Sequence, residues 1–323
     1  MSKLARPITP DEVAAYHQAG VVLLRGVLDL KAVNTLRSSI DDAMATLGDS
    51  ASGYDLSELT QAYEAFDEDT ITARSEGQHD IANIMNFMRS SGKPLLLDEV
   101  KCPKKGSFLL DTAVAMRLKE FRRFVMRGAG PEIAAALLHS ETVRYFGDQV
   151  LVKEPGTRER TAFHQDAPYF NIEGDQCCVL WIPADPVRLE HGAMIYVRGS
   201  HVDPELYKPN VFVSHTALPM SEGRELPDIE ADPERYDLVH FDVEPGDVLV
   251  HHYRTIHGTG GNTSRYQVRR AASVRYCGDD IRYRNRPGAP AQLHYTHQLK
   301  DGDPLDGPDF PIVWSRSKAK EAA

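Results

Sequence analysis

The stretch TAFHQD at residues 161–166 joins strand-forming residues to two metal-binding side chains that one residue separates. Residues two apart on an extended strand project from the same face, so the His164 imidazole and the Asp166 carboxylate can reach one ion. His257, in TIHGT at residues 255–259, is the candidate third ligand. A His-x-Asp pair alone is a weak signal in a chain with 13 histidines, where a structural histidine–carboxylate pair explains it equally well.

The donor set favours iron over zinc. Two imidazoles and one carboxylate on one face of an octahedral ion leave positions open for a chelating cosubstrate and O2, as in non-haem Fe(II) oxygenases. Catalytic zinc is usually four-coordinate, and its histidine-rich motifs tend to lie on helices. The residues around His164 carry no helical periodicity, so we expect an iron site.

A basic residue lies on the strand that follows the third histidine. Residues 246–250 and 268–276 read as strands on either side of His257. Arg269, near the start of the second strand, is a natural bidentate partner for the far carboxylate of a small dianionic ligand. Metal, chelating ligand and basic anchor would then lie in line.

Hydrophobic periodicity divides the chain into a helix-rich part and a strand-rich part. Helical spacing recurs at residues 33–47 and 114–125, and Pro131 can open a further helix before residues 134–138. Short strand-like runs follow, from Gln149 onward. They predict an α+β fold whose core is a double-stranded β-helix, a cupin-like jelly roll, flanked by N-terminal helices. The predicted strands are residues 177–182, 193–197, 238–243, 248–252 and 268–276.

The length of 323 residues is compatible with one large domain or two smaller ones, and we expect one domain over residues 1–323. Its predicted parts are a helix-rich segment at 1–145, the jelly-roll core at about 146–278 and an irregular C-terminal segment at 279–323. We detect no internal repeat.

Candidates for the substrate pocket lie beside the metal motif and in two polar stretches. Tyr169 and Asn171 follow the motif closely and are candidates to border the substrate, although Tyr169 fits a packed aromatic position equally well. Residues 48–105 and 279–311 are long irregular connections, which form either lids and binding loops or solvated surface.

Three motifs resemble the phytanoyl-CoA dioxygenase family of Fe(II)- and 2-oxoglutarate-dependent oxygenases. They are HQD at residues 164–166, GAMIYVRGSH at residues 192–201, and the segment at residues 257–271 that begins HGTG and ends RRA. The resemblance runs from about residue 149 to residue 276, and residues 9–27 also look like the family's opening. It implies a dioxygenase that uses Fe(II), 2-oxoglutarate as cosubstrate and O2.

The resemblance implies a role for each matching residue. His164, Asp166 and His257 would be the catalytic iron ligands. Arg269 would pair with the distal carboxylate of 2-oxoglutarate, and Arg270 would face the other way.

Three further positions match residues that line the 2-oxoglutarate pocket in relatives. Thr259 would contribute a hydroxyl hydrogen bond, Trp181 ring packing and Gln149 an amide contact. Trp181 fits a core position in an apolar strand as well, and Gln149 fits an ordinary strand position.

The reaction that the resemblance implies is the hydroxylation of an aliphatic C–H group in a small metabolite or natural-product intermediate, with release of succinate and CO2. Family-like halogenases replace the metal-binding carboxylate with a small residue, whereas Asp166 is present here, which favours hydroxylation. The alternative is a metal-binding jelly roll with a non-oxidative isomerase or hydrolase activity, or with no catalytic role. Arg269 discriminates between them, because non-oxidative chemistry needs no 2-oxoglutarate anchor.

Composition narrows the partners and the compartment. The net charge of −10 offers no general attraction for nucleic acid, so we expect a small-molecule substrate. No apolar run approaches the length of a membrane span and no charged-then-apolar leader is visible, which predicts a cytoplasmic protein without membrane contact. The four cysteines, Cys102, Cys177, Cys178 and Cys277, form no CxxC pair and are expected to be free thiols.

Overall fold

A computed structural model describes residues 4–57, 106–218, 220–290 and 294–321 of the chain. Most of the irregular connection at residues 48–105, for which a lid and a solvated surface were both open, lies outside these ranges, as does Cys102. The other three cysteines are buried free thiols, as predicted. Over the described ranges, no helix is both long enough and apolar enough to cross a membrane.

Local sequence signals set the ends of the first helices. The Thr9 side chain accepts a hydrogen bond from the backbone N–H of Glu12 at 3.2 Å, and the Glu12 carboxylate accepts one from the backbone N–H of Thr9 at 2.8 Å, which forms a capping box. Gly20 ends this helix with a φ of +72°, a conformation that favours glycine. The next helix begins after Asp29, whose carboxylate accepts from the backbone N–H of Ala32 at 2.7 Å. The helices are α1 (Pro10–Ala19), α2 (Leu30–Ala45), α3 (Val114–Arg117), α4 (Lys119–Arg127), α5 (Gly130–Leu138) and α6 (Arg316–Glu321).

The strands of the described residues form three antiparallel sheets. In chain order they are β1 (Val21–Leu24), β2 (Gly53–Asp55), β3 (Phe108–Thr112), β4 (Thr142–Lys153), β5 (Thr161–His164), β6 (Ile172–Glu173), β7 (Cys177–Pro183), β8 (Met194–Val197), β9 (Leu238–His240), β10 (Val248–His252), β11 (His257–Thr259), β12 (Arg269–Cys277), β13 (Arg282–Tyr283) and β14 (Ile312–Ser315).

Two of the sheets build the jelly roll. The larger sheet has eight strands in the order β1-β10-β7-β12-β4-β3-β2, with β14 also paired to β4. The smaller sheet has the order β5-β11-β8-β9, and side chains from both sheets line the space between them. The third sheet is the ribbon β13-β6. Two antiparallel sheets that enclose an interior confirm the predicted jelly-roll core with flanking helices.

The alternation of side chains along β12 separates the core from the interior site. Ala272 and Val274 belong to the apolar core in which helices α1, α2, α4 and α5 pack on the outer face of the large sheet. Arg269, Ser273 and Arg275 line the space between the sheets instead. Because successive strand residues point to opposite faces, one strand contributes to both the stabilising core and the interior.

The predicted elements are confirmed with shifted boundaries. Strand β10 matches the prediction residue for residue, whereas the strand predicted at 238–243 ends at His240. The helical pattern at 114–125 divides at Leu118 into α3 and α4. Two corrections concern the large sheet: β4 begins at Thr142 rather than at Gln149, and β1, β2 and β3, which the sequence pattern did not identify, belong to this sheet.

Candidate metal centre

Strand pairing brings two histidines side by side. His164 is the last residue of β5 and His257 the first of β11, and the two are direct partners in the antiparallel register. Their ring centroids lie 4.3 Å apart, and both side chains are buried. The small sheet therefore creates a pair of imidazoles from two distant parts of the chain.

Asp166 completes the group from a turn, not from the strand that the sequence predicted. Strand β5 ends at His164, and Asp166 has φ −75° and ψ −30° because it precedes a single turn of 3-10 helix that contains Pro168. The Asp166 Oδ1 atom lies 3.8 Å from Nε2 of His164, and Oδ2 lies 4.0 Å from Nε2 of His257. One ligand atom from each of the three residues fits within 4.8 Å of the others, which is a geometry that can hold a metal ion.

Backbone carbonyls fix the tautomer of both histidines. Nδ1 of His164 lies 2.8 Å from the carbonyl oxygen of Ala162, and Nδ1 of His257 lies 2.9 Å from that of Thr255. A carbonyl oxygen only accepts, so Nδ1 carries the proton and Nε2 keeps a free lone pair. Burial lowers the pKa of each imidazole to about 4, so both are neutral and ready to bind a metal.

His251 contacts the proposed carboxylate ligand. Its Nε2 lies 3.2 Å from Oδ2 of Asp166, and its Nδ1 lies 3.4 Å from the hydroxyl of Tyr196. Burial alone would raise the pKa of Asp166, but the hydrogen bond with His251 and the neighbouring charges lower it below its ordinary value, which keeps the carboxylate ionised. The adjacent His252 faces the other way, with Nε2 at 2.9 Å from the carbonyl oxygen of Asp175.

Arg269 is a buried cation without an acceptor in the part of the chain that the structure describes. Its side chain is 1% exposed, and neither Nε nor Nη1 has a hydrogen-bond partner. The guanidinium carbon lies 5.7 Å from the ring centre of Trp181 and 5.9 Å from that of Phe108, and burial lowers the pKa of Arg269 to about 9. Arg270 points to the opposite face, where it pairs with Asp185 at 2.7 Å. Of the two neighbouring arginines, only Arg269 faces the interior.

A second buried cation, Lys153, was not identified from the sequence. Lys153 on β4 lies opposite Arg269 on β12 in the antiparallel register of the large sheet. Its Nζ donates to Thr259 Oγ1 at 2.7 Å and to the Gly260 carbonyl oxygen at 2.6 Å. Burial and the nearby Arg269 lower the pKa of Lys153 well below its ordinary value. The available signal was the position of this lysine at the end of the apolar strand run that begins near Gln149.

The remaining cosubstrate candidates line the same space as the histidines. Gln149, Trp181, Thr259 and Arg269 all border the pocket that contains the three candidate ligands. Arg275, which the sequence reasoning missed, borders it too and donates from Nη2 to Gln149 Oε1 at 2.5 Å. Its even spacing from Arg269 on one strand was the signal for a shared face.

The two substrate candidates have different positions. The Tyr169 ring packs edge-on against His164, with centroids 5.6 Å apart, and its hydroxyl donates to the carbonyl oxygen of Asn210 at 2.8 Å. Asn171 lies outside the set of residues that line the pocket, and its Oδ1 accepts from the backbone N–H of Arg286 at 3.0 Å. Tyr169 thus borders the site, whereas Asn171 holds the C-terminal segment against β6.

These residues fit Fe(II) and 2-oxoglutarate. Two neutral imidazoles with free Nε2 atoms and one ionised carboxylate match the preferences of non-haem iron. The unpaired donors of Arg269 call for an anion, because a buried polar group without a partner is destabilising. A ligand that chelates the metal at one end and carries a carboxylate at the other satisfies both.

The fold and this donor set are those expected of the Fe(II)- and 2-oxoglutarate-dependent class of jelly-roll oxygenases. A sequence model described as "Phytanoyl-CoA dioxygenase (PhyH)" matches residues 16–271, and the chain belongs to this family. A "Probable phytanoyl-CoA dioxygenase" of Caenorhabditis elegans is 30% identical over 137 residues. That match spans 40% of this chain and 40% of the relative.

Solved structures share the fold. The "non-heme alpha ketoglutarate dependent carbocyclase SnoK from nogalamycin biosynthesis" is 24% identical with a TM-score of 0.63, and the match covers 97% of this chain and 100% of that one. The corresponding epimerase SnoN is 20% identical with a TM-score of 0.61, over 94% and 98% of the two chains. EctD from S. alaskensis, solved "with 2-oxoglutarate and 5-hydroxyectoine", is 14% identical with a TM-score of 0.55, over 93% and 86%.

Proposed function

We propose that this protein is an Fe(II)- and 2-oxoglutarate-dependent dioxygenase that hydroxylates an aliphatic C–H group of a small metabolite or natural-product intermediate. Succinate and CO2 are the products formed from the cosubstrate. The observation that carries the proposal is the buried guanidinium of Arg269, whose Nε and Nη1 have no partner among the described residues, in the same pocket as His164, Asp166 and His257. A metal site alone would have no need of this cation.

The proposal assigns the metal to His164, Asp166 and His257 as catalytic residues. When bound, Fe(II) and 2-oxoglutarate supply the oxidising chemistry with O2. The chain holds both imidazole rings in one tautomer through the Nδ1–H bonds to the carbonyl oxygens of Ala162 and Thr255, so neither ring has to change tautomer when the metal binds.

The proposal assigns the cosubstrate to the inner end of the pocket. Arg269 binds the distal carboxylate, and the hydroxyl of Thr259, which already accepts from Lys153, keeps its proton free to donate to the same carboxylate. Trp181 packs beside Arg269 and excludes water from this ion pair, which strengthens it. The Gln149 amide lines the same pocket, where its oxygen accepts a hydrogen bond from Arg275 and its NH2 group is proposed to contact the cosubstrate.

Hydroxylation is proposed over halogenation because the carboxylate ligand Asp166 is retained. The neighbours named as a carbocyclase and an epimerase indicate that this fold also serves other reactions. The metal ligands proposed here are compatible with hydroxylation, with ring formation and with epimerisation. The substrate's position therefore decides the outcome.

The test is an anaerobic titration of the metal-free protein with Fe(II) and 2-oxoglutarate, followed by the visible metal-to-ligand charge-transfer band of the chelate. We expect the band in the parent protein and its loss in His257→Ala. The matched control is His252→Ala, which removes a buried histidine of β10 that faces away from the candidate ligands, and this variant is expected to keep the band.

Two results would contradict the proposal. A parent protein that binds Fe(II) without developing the band would favour the alternative of non-oxidative metal chemistry. A band that persists in His257→Ala would show that the metal is held elsewhere. If the parent develops the band and His257→Ala does not, a measurement of oxygen-dependent succinate release from 2-oxoglutarate in the parent extends the test from binding to turnover.

A further inference from the structure

A larger cavity adjoins the candidate metal centre. His164, Asp166 and Arg275 line both this cavity and the inner pocket around Arg269. The cavity has a volume of about 220 Å³ and is open to solvent. Its direct access to the proposed iron ligands is that expected of a substrate site.

Aromatic rings form much of the cavity wall. Near the metal end, the Phe212 ring lies 5.3 Å from that of His164, and Tyr169 packs against the same histidine. Farther out, the Phe146 ring lies 5.2 Å from Phe170 and 6.0 Å from Tyr295. Rings of this kind bind a flat, ring-containing ligand by stacked and edge-on contacts. All five rings line the cavity: Phe146, Tyr169, Phe170, Phe212 and Tyr295.

Arg275 brings a positive charge into this aromatic setting. Its side chain is 6% exposed, its one described hydrogen bond is to Gln149, and its Nε is buried without an acceptor. The guanidinium carbon lies 5.5 Å from the ring centre of Phe170. Within the described ranges, no carboxylate oxygen lies within 4.0 Å of Arg275. A guanidinium has five N–H donors, so most of the hydrogen-bonding capacity of Arg275 is unused.

The nearby carboxylate of Asp148 does not supply the missing acceptor. Asp148 also lines the cavity, but its oxygens accept from the backbone N–H groups of Val114 at 2.7 Å and Ala115 at 3.1 Å, and from the hydroxyl of Tyr145. This carboxylate therefore holds the start of α3 in place. Arg275 is left with donors that face the cavity.

We propose that the cavity binds a ring-containing organic anion, and that Arg275 determines specificity by binding the carboxylate of this substrate. The proposal rests on the proposed function, because it takes the cavity beside the iron ligands as the place of the substrate. A guanidinium binds a carboxylate through two parallel hydrogen bonds, and the surrounding rings exclude the water that would otherwise compete.

The residues that line the inner pocket and the outer cavity indicate that the anion bound by Arg275 is the substrate and not 2-oxoglutarate. Arg269, Thr259 and Trp181 line the inner pocket and not the outer cavity. Phe146 and Tyr295 line the outer cavity and not the inner pocket. Arg275 lies at the junction, so the two basic residues serve opposite ends of the site.

The experiment uses the anaerobic complex of the full chain with Fe(II) and 2-oxoglutarate. Calorimetric titrations compare 2-naphthoate with 2-naphthamide, which has the same rings without the charge. In the parent we expect 2-naphthoate to bind about 10- to 100-fold more tightly, as for a hydrogen bond to a charged group. Arg275→Gln should remove this preference while 2-naphthamide binds as in the parent, and Arg275→Lys should retain part of it. Arg284→Gln, at a half-exposed arginine outside the cavity, is the matched control and should keep the full preference.

The outcomes separate this proposal from the proposed function. Absence of the charge-transfer band in the parent would contradict the oxygenase assignment. With the band intact, equal affinity of the parent for the two probes would overturn the substrate proposal without using any variant. A preference that survives in Arg275→Gln would also overturn it. If Arg275→Gln lost the band, Arg275 would hold the cosubstrate, and the assignment to the substrate would be wrong.

Discussion

Replacing Arg269 with methionine should stabilise the ligand-free protein and at the same time abolish tight binding of 2-oxoglutarate. The arginine is 1% exposed and two of its nitrogen atoms have no acceptor. Burial lowers its pKa from 12.5 to about 9, and at about 1.4 kcal/mol per pKa unit this fall corresponds to roughly 5 kcal/mol for keeping the group charged. Methionine has an unbranched side chain that can follow the same path past Trp181 without a charge.

Both effects have expected magnitudes. Replacement of a buried ion pair by apolar residues is often neutral or stabilising by about 1–4 kcal/mol, and a buried charge without a partner repays less of its desolvation, so the free energy of unfolding of ligand-free Arg269→Met should rise by about 1–4 kcal/mol. Removal of one partner from a buried ion pair costs about 3–5 kcal/mol, which predicts a rise in the Kd for 2-oxoglutarate of at least about a hundredfold.

The assay pairs urea unfolding of the metal-free protein with anaerobic titration of 2-oxoglutarate in the presence of Fe(II). Arg270→Met is the matched control, because this neighbour lies on the opposite face of β12 and pairs with Asp185 and Asp41. The control should lose some stability and keep the affinity for 2-oxoglutarate.

Two results would refute the reasoning. A ligand-free Arg269→Met protein that is less stable than the parent would mean that the buried charge already has a compensating partner. A Kd for 2-oxoglutarate that rises by less than about tenfold would mean that Arg269 does not hold the distal carboxylate.

Two further predictions concern positioning and packing. His251→Phe keeps all three candidate ligands but removes the contact of His251 with Asp166. Fe(II) affinity, measured in competition with a chelator, should therefore fall by about tenfold or more. Unchanged affinity would contradict an orienting role for His251. Gly130→Ala places a new Cβ 2.4 Å from the Tyr276 hydroxyl, so urea unfolding should show a loss of about 1–3 kcal/mol. Gly48→Ala, whose added Cβ meets nothing within 4 Å, is the control, and an equal loss in both variants would refute the steric argument.

The sequence predicted the parts of this molecule that depend on local pattern. The strand β10 and the helices α2 and α5 follow from hydrophobic spacing, which is a property of neighbouring residues. The His164–Asp166 pair could be found because two donors two residues apart can reach the same ion from a strand or from the turn that ends it. Here the turn was the correct form, since Asp166 leads into the turn that contains Pro168.

The sequence did not predict features that depend on which strands become neighbours. The four-residue β1 looks like a short apolar run between two helices, and only its pairing with β10 identifies it as part of the large sheet. Lys153 looks like an ordinary end-of-strand lysine, which is usually exposed. Its role follows from the register that places it opposite Arg269, and the register is set by the whole sheet.

Strand β12 serves the stability of the fold with one face and the choice of ligand with the other. Its outward side chains Ala272 and Val274 pack in the core under the helices, while Arg269 and Arg275 point inward. Six residues of strand hold the two guanidinium-bearing residues about 20 Å apart along the backbone, at about 3.3 Å per residue. A change at residue 275 can therefore alter the anion accepted in the outer cavity while the backbone ladder keeps residue 269 in place for the cosubstrate. The roles proposed for these two residues predict that substrate specificity in this protein can vary without loss of the oxidative chemistry.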